Sequence, residues 1–345
     1  MTPPAGALAL HEVGLVTSVG LDAASSCAAF RAKLTNPTET RFMDSSGEWI
    51  MAHQVPLPVP RSGLDKLATM AAMAIREALA GVPDEDRQSL PLLLCVAEAE
   101  RPGRSAGLDD RLYRLIEAEL GMRFSEHSAI VAQGRIGIAV ALGQARALMQ
   151  RFALPRILVA ATDSLLSAAT LGAYDEGGRL LSPQNSNGFM AGEAAGALLV
   201  GPPTGRDGEL LITGIGFGHE PAHIDSGEPL RANGLSAAIK AALSDAQRQM
   251  HDMDFRITDI SGEQYYFKEA ALSVSRTLRV RKEEFDLWHP AECTGESGSA
   301  AGAAIIALAA AACRKGYSRG HNILAHLAND GGHRAALTLQ FQGAR

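Results

Sequence analysis

Apolar side chains follow two different spacings along this chain. Apolar residues at intervals of three and four predict an amphipathic helix over Leu64–Ala80, which Gly81 and Pro83 end. A continuous apolar run over Leu90–Ala97 is typical of a strand buried on both faces. Segments of the two kinds alternate, which predicts a protein built from mixed strands and helices.

The same criteria predict the remaining elements. Strands are expected over Ala7–Val16, Ser128–Ala132, Arg156–Ala161, Ala194–Val200, Glu209–Gly216, Arg256–Ser261, Asn322–Ala328 and Ala335–Gln340, and helices over Asp109–Leu120, Gly137–Phe152, Gly234–Met250, Lys268–Thr277 and Gly298–Cys313. Two halves rich in strand–helix units meet near Pro202–Asp207, so we predict a layered α/β architecture with domains at 1–205 and 206–345. The charged segment Arg101–Arg104 is interpreted as a solvated loop.

Composition narrows the classes of function. The chain has 345 residues, of which 46% are hydrophobic, and its 35 glycines with only 5% aromatic residues indicate closely packed elements. The net charge is −6 without any basic run, so we expect no nucleic-acid partner. Its four cysteines show no metal-binding spacing, so we expect reduced thiols in a cytoplasmic protein, with no metal and no cofactor.

Two apolar segments bear on targeting. Met1–Ala9 has no basic start, so we expect no signal peptide. Ala300–Cys313 is apolar but consists mostly of alanine over about 14 residues, too few to span a bilayer.

The segment Gly188–Val200 combines a glycine-rich turn with a strand of small residues. Gly192 and Gly196 leave room for another backbone to approach closely. Its only charge is Glu193, for which we expect a structural role, accepting local backbone hydrogen bonds, rather than a catalytic one. The segment resembles the GFxxGEGAG motif of β-ketoacyl synthases, in the thiolase-like superfamily.

Four other segments extend this resemblance in the same order along nearly the whole chain. Val13–Gly20 resembles the GxGxVSPxG opening, Ala141–Arg146 the helix that begins at the nucleophile, Gly295–Gly302 the GHTxGAAG motif, and Gly331–Leu337 the closing GFGGTNAxL. The resemblance implies a thiolase-like five-layer αβαβα fold of two pseudo-repeated halves. It also implies a dimer formed through the strand before the nucleophile, here Ser128–Ala132.

The catalytic residues of that family are replaced here. The family uses a Cys at a helix N-terminus and two His residues; the resemblance places Arg135, Ser261 and Glu296 at those positions. Arginine is permanently protonated and cannot act as the nucleophile. Ala291 stands where the family has a Lys, and Glu269 where it has an Asp.

The replaced positions Arg135, Glu296 and Asp330 predict an ion pair. The resemblance places Asp330 where the family has a gatekeeping Phe. Gly331 and Gly332, which follow it, are expected to form a turn, and they would contribute to binding only if a pocket is retained. Arg135 and Glu296 replace groups that converge on one substrate carbonyl. We therefore expect them to form a buried ion pair, joined by Asp330, because a lone charge in such a pocket would be costly.

Other residues could still supply chemistry. Cys293, two residues before Gly295, could be a displaced nucleophile, although a buried free Cys is more often a core residue. Ser261 or Ser297 could serve instead, with a base from His289, His326 or His333. No GxSxG elbow supports a serine nucleophile, and each His has a packing or surface role as its alternative.

Three classes of function follow. The first is a catalytically inactive partner or scaffold, similar to chain-length factors, which resemble ketosynthases, lack the Cys and pair with an active ketosynthase. Gly134–Gly137 has the GxxG outline of such subunits, and we expect a homodimer or a heterodimer with a ketosynthase-like protein. The second is a protein that binds an acyl group or an acyl carrier protein without turnover. The third is an acyltransferase that uses unanticipated residues.

Overall fold

The computed structural model describes residues 6–343, so most of the segment Met1–Ala9, for which no signal peptide was predicted, lies outside the described residues. The strands are β1 (Leu8–Val16), β2 (Thr38–Met43), β3 (Trp49–His53), β4 (Leu92–Val96), β5 (Ala129–Ala132), β6 (Ile157–Ser164), β7 (Ala191–Gly201), β8 (Glu209–His219), β9 (Phe255–Thr258), β10 (Leu287–Trp288), β11 (Asn322–Ala328) and β12 (His333–Gln342). The helices are α1 (Ala23–Ala32), α2 (Gly63–Ala78), α3 (Asp84–Arg87), α4 (Arg111–Leu120), α5 (Gly137–Phe152), α6 (Ala168–Glu176), α7 (Asn233–Asp245), α8 (Gln264–Thr277), α9 (Ala291–Thr294) and α10 (Ala301–Arg314).

The strands form two sets with the same internal order. In the first, the order is β5-β4-β6-β7-β1, and in the second it is β10-β9-β11-β12-β8. When the five strands of each set are numbered along the chain, leaving out the hairpin of β2 and β3, both sets run 3-2-4-5-1. In each, the second strand is parallel to both of its neighbours and the remaining pairs are antiparallel. This repetition confirms the predicted α/β fold of two pseudo-repeated halves.

Helices and sheets stack in five layers. Helices α5 and α10 lie between the two sheets, and their side chains share one core with strands from both halves. Helices α2 and α4 cover the outer face of the first sheet, and α7 with α8 covers the second. Helix α10 is rich in alanine and buried along most of its length. Its small side chains allow it to pack between the two sheets, where larger side chains would clash.

The two halves also join edge to edge. Strands β1 and β8 pair antiparallel, with Leu8–Leu10 opposite Leu210–Ile212, and the connection over residues 202–208 links β7 to β8. The domain boundary between residues 205 and 206 falls in this connection and stays a prediction.

The structure contains elements that the apolar pattern did not predict. The hairpin of β2 and β3 carries exposed side chains on one face, so it has no continuous apolar run. Helices α1 and α6 have little amphipathic character. Helix α7 ends at Asp245 rather than at Met250, because the chain turns into a left-handed conformation at Gln247 (φ 53°).

Candidate functional site

A short turn places Arg135 at the start of the central helix α5. The 3-10 turn Gly134–Ile136 follows β5 after the single residue Gln133. Gly134 has φ +52°, and a Cβ there would lie 2.0 Å from Oε2 of Glu98, so the turn requires glycine. The amide side chain of Asn329 fixes the turn from the other half of the molecule: its Oδ1 accepts a hydrogen bond from the Ile136 N–H at 3.3 Å.

The Arg135 guanidinium is buried and has several partners. Nη1 donates to Oε2 of Glu296 at 2.9 Å, and Nη2 donates to Oδ1 of Asp330 at 2.6 Å and to the Tyr266 hydroxyl at 2.7 Å. Nε lies 3.9 Å from Oδ2 of Asp259, and the guanidinium carbon lies 4.7 Å from the centre of the Tyr266 ring. The expected ion pair of Arg135 and Glu296, joined by Asp330, is therefore present.

Both oxygens of Glu296 are occupied. Oε2 accepts hydrogen bonds from Arg135 and from the Ser261 hydroxyl at 3.0 Å, and Oε1 accepts the Gly298 N–H at 2.9 Å. The partner of Ser261 is thus a carboxylate paired with arginine rather than a histidine. This arrangement does not supply the base that a serine nucleophile needs.

A second arginine shares Asp330. Arg179 forms two hydrogen bonds with Glu263, at 2.8 and 2.7 Å, and two with Asp330, at 2.6 and 3.2 Å. The Tyr266 and Tyr174 hydroxyls also donate to Asp330. Burial raises the pKa of Asp330, but the charges of Arg135 and Arg179 outweigh it and hold the pKa well below its ordinary value.

A third arginine lies beside them, at a position that the sequence pattern assigned wrongly. Arg101 was expected in a solvated loop, yet its side chain is only 5% exposed. It forms two hydrogen bonds with Glu98, at 3.0 and 2.9 Å, and one with Asp163 at 3.3 Å. Asp163 in turn accepts the Ser299 N–H and hydroxyl. Sequence reasoning missed this group because the pair with Glu98 is local but its burial beside Asp163, 62 positions away, leaves no local signal.

These side chains fill the space around Arg135. The cavity that Arg101, Arg135, Arg179, Glu296 and Asp330 line with their neighbours measures about 10 Å³. That volume suits about one water molecule. An acyl chain does not fit beside Arg135 in this arrangement.

One carboxyl of the group is poorly compensated. Asp259 is 3% exposed and accepts hydrogen bonds from the Ala328 N–H at 3.0 Å and from the Thr258 hydroxyl at 3.3 Å. Burial, opposed by the charge of Arg135, raises the pKa of Asp259 to about 6. The longer separation from Arg135, 3.9 Å, is consistent with incomplete compensation.

Of the candidate thiol and imidazole groups, Cys293 and His326 are buried, whereas His333 is exposed. Cys293 is 1% exposed in α9, and burial raises the pKa of its thiol to about 11, so the thiolate is scarce at neutral pH. His326 lies in β11 with Nδ1 3.1 Å from the Thr258 hydroxyl, and burial lowers its pKa to about 3. His333 is exposed and lies beside His219.

The other predicted binding residues have structural contacts. Gly332 (φ +92°) belongs to the turn between β11 and β12, and its carbonyl accepts the Glu220 N–H at 2.8 Å; Gly331 is exposed in the same turn. Glu193 is buried in β7, where it accepts the Val55 N–H at 2.8 Å and contacts Lys66 and Ser164. These partners are distant in sequence, so the expectation of local bonds for Glu193 was wrong.

A separate buried pair involves Glu269, the residue that the resemblance places where the family has an Asp. Glu269 accepts two hydrogen bonds from Nε of Arg334, at 2.8 and 3.0 Å, and both side chains are almost fully buried. Nη1 of Arg334 also donates to the Asn329 carbonyl at 2.6 Å, so this pair supports the loop that holds the Arg135 turn.

Within residues 6–343, the structure contains neither a membrane-spanning helix nor a metal-binding cluster. No helix in that range has both the length and the hydropathy needed to cross a membrane. The same range contains no group of three or more His, Cys, Asp and Glu side chains placed to hold a metal ion.

Solved structures share this fold over the whole chain. A chain of "the ishigamide ketosynthase/chain length factor" is similar with a TM-score of 0.81 at 18% identity, covering 99% of this chain and 100% of that chain. A chain of the ketosynthase ApeO in complex with its chain length factor ApeC, from Xenorhabdus doucetiae, is similar with a TM-score of 0.75 at 15% identity, covering 97% and 98%.

A third structure, of a type II polyketide synthase acyl-carrier protein in complex with its ketosynthase (AntDE:AntF), gives a TM-score of 0.81 at 15% identity, covering 99% of this chain and 100% of that chain. No protein-family model and no curated protein matches the sequence. At these identities the likeness shows the fold, which is that of ketosynthases and chain length factors.

Proposed function

We propose that this protein is a non-catalytic ketosynthase-like subunit that assembles with a ketosynthase-like protein, in the manner of a chain length factor. The observation that carries the proposal is Arg135, which occupies the predicted nucleophile position at the start of α5 and is held there by Glu296 and Asp330. A permanently protonated side chain locked by two carboxylates cannot attack a thioester.

The residues that the resemblance places at the other two catalytic positions also form structural contacts. Condensation in the resembled family needs two imidazoles beside the thiol. The resemblance places Ser261 and Glu296 at those positions, and the Ser261 hydroxyl donates a hydrogen bond to Oε2 of Glu296 at 3.0 Å. The same geometry opposes the alternative of acyl binding at this point, since the cavity beside Arg135 measures only about 10 Å³.

The edge strand β5 is the surface that we assign to the partner. It ends the order of the first sheet, and Ala129 on it is exposed. An unpaired strand edge is a site for pairing with another chain, and proteins usually cover or protect it. Two of the similar structures hold a ketosynthase with its chain length factor or carrier protein, which supports a partner of this class.

The activity test is a condensation and malonyl-decarboxylation assay with acyl- and malonyl-loaded carrier protein, with an active ketosynthase as the positive control. We expect no product from the wild-type chain. Arg135→Cys alone should stay inactive, because Ser261 and Glu296 do not replace the two imidazoles. A turnover rate that Arg135→Met, Ser261→Ala or Glu296→Gln abolishes would contradict the proposal.

The assembly test is light scattering of the purified chain, alone and mixed with a ketosynthase of the type II polyketide class. We expect a dimer in at least one of the two samples. Ala129→Lys should weaken it by placing a charge on the pairing edge, whereas Ala129→Val, which favours a strand, should not. A monomer in both samples across micromolar concentrations would overturn the assembly part.

A further inference from the structure

A second cavity lies where α1 meets the C-terminal half. It measures about 310 Å³ and is lined by residues of α1, β10, α9 and α10 together with Tyr317. It shares no lining residue with the cavity at Arg135. Its volume is at the lower end of the range for small-molecule sites, which often lie where two units of a protein meet.

Aromatic and aliphatic side chains form its walls. The rings of Trp288 and Tyr317 are stacked, with centres 6.4 Å apart and planes at 19°. Phe30 and Leu308 are 6% and 5% exposed and complete the apolar lining. Trp288 lies between Phe255, whose ring centre is 4.6 Å away, and Tyr317, and its half-buried ring leaves part of its aromatic surface accessible to a ligand.

The rim of the cavity is positively charged. Arg31, Lys33 and Arg319 line it, against the single carboxylate of Glu292. This local excess of positive charge occurs on a chain whose net charge is −6. A concave site with a positively charged rim favours an anionic ligand.

Arg319 is paired with Asp286 at 2.9 Å, so Arg31 and Lys33 are the rim cations that we assign to a ligand. The Lys33–Glu292 pair is 3.5 Å apart, and its side chains are 75% and 37% exposed. Exposed pairs of this kind contribute little to stability. The Arg31 guanidinium lies 4.6 Å from the centre of the Tyr317 ring, so it connects the charged rim to the aromatic wall.

The backbone conformation at Lys33 allows the role of its side chain to be tested. Lys33 caps the C-terminus of α1 in the left-handed conformation, with φ 53° and ψ 37°. Glycine is the usual residue there, and a side chain costs about 1–2 kcal/mol. The chain thus has a lysine at the mouth of the cavity at a position where its backbone favours glycine.

We propose that this cavity binds a small aromatic carboxylate. The ligand ring contacts the accessible parts of Trp288 and Tyr317, and the carboxylate accepts hydrogen bonds from Lys33 and Arg31. Cys293 lines the inner part of the same cavity and contributes apolar contact rather than a reactive thiol.

The test uses 3-phenylpropionate as the probe, with isothermal titration calorimetry of the full chain. We expect saturable one-to-one binding, at least about tenfold tighter than that of the neutral 3-phenylpropionamide and of aliphatic octanoate. The only other tryptophan, Trp49, lies on β3, so a Trp49→Phe background reports Trp288 alone. In that background we expect saturable fluorescence quenching with the same affinity.

A matched pair of variants separates binding from folding. Lys33→Gly should weaken binding about fivefold or more without lowering the unfolding midpoint, because glycine relieves the left-handed conformation. Ala153→Gly makes the same backbone change at the C-cap of α5 (φ 51°), outside the cavity, and should leave affinity unchanged. Absence of saturable binding, equal affinity for the amide or octanoate, or wild-type affinity in Lys33→Gly would each overturn the proposal.

Discussion

Nη1 of Arg135 lies 2.9 Å from Oε2 of Glu296, and the two residues are 161 positions apart in the chain. Arg135 comes from the first half and Glu296 from the second, so this ion pair joins the two repeats at the middle of the molecule. Both side chains are buried; Glu296 has Arg135 as its cation, whereas Arg135 is compensated by both Glu296 and Asp330.

A double-mutant cycle measures that dependence. Arg135→Met should cost about 3–5 kcal/mol of unfolding free energy, because it strands Glu296 and Asp259 without their cation. Glu296→Leu should cost less, since Arg135 keeps Asp330 at 2.6 Å. The double variant should be milder than the sum of the two, as measured by denaturant unfolding.

The control for this cycle is the exposed pair of Arg114 and Asp110, 2.9 Å apart with side chains 69% and 63% exposed. Its cycle should give a coupling of about 0.5 kcal/mol or less. If the Arg135 and Glu296 changes are each near neutral and strictly additive, the buried pair does not stabilise this site.

Asp259 predicts a pH dependence of stability. Its pKa is about 6 in the folded protein and about 3.9 in an unfolded chain, so between these values the folded state binds more protons. Asp259 therefore makes its full contribution to the free energy of unfolding below pH 3.9, and this contribution is lost as the pH rises through 6. Relative to Asp259→Asn, the wild type should lose on the order of 2 kcal/mol over this range.

Thermal and denaturant unfolding of both proteins between pH 4 and 7 checks this difference. The exposed Asp110→Asn serves as the control and should follow the wild type. Arg135→Met should move the wild-type transition above pH 6, because the cation that lowers the pKa of Asp259 is gone. A difference between wild type and Asp259→Asn that does not vary with pH would contradict the assignment.

The turn at Gly134 should not tolerate a side chain. Gly134→Ala places a Cβ in the left-handed region and 2.0 Å from Glu98, which Arg101 holds, so we expect a loss of about 1–3 kcal/mol. Gly143→Ala, in the interior of α5 with open space around it, should be neutral or stabilise the helix. Equal unfolding midpoints for the two variants would show that the turn is not constrained.

The thiols should be unreactive in the folded protein. Burial raises the pKa of Cys27 to about 12 and of Cys293 to about 11, and it also raises the pKa of Cys95 and Cys313. We expect no iodoacetamide adduct by intact mass at pH 8, and four adducts after unfolding in guanidinium. Rapid single labelling of Cys293 in the native state would instead favour an acyl-transfer enzyme.

Much of the fold follows from local pattern. The bounds of α5 and β11 agree with prediction, because their apolar spacing and flanking glycine or polar residues are local properties. The ordered set of five glycine-rich segments indicated the thiolase-like arrangement, and the replaced positions at Arg135 and Glu296 indicated an ion pair. Residue identity alone carries these conclusions, since opposite charges in a buried pocket compensate each other.

Only the tertiary structure decided which other charges join that pair. Arg179 and Arg101 follow α6 and β4 with no pattern that marks them as buried, yet both lie at the cavity beside Arg135. Their burial depends on Glu263 and Asp163, which other segments of the chain bring within hydrogen-bonding distance. Such contacts arise when the layers pack, and the sequence near each arginine does not contain them.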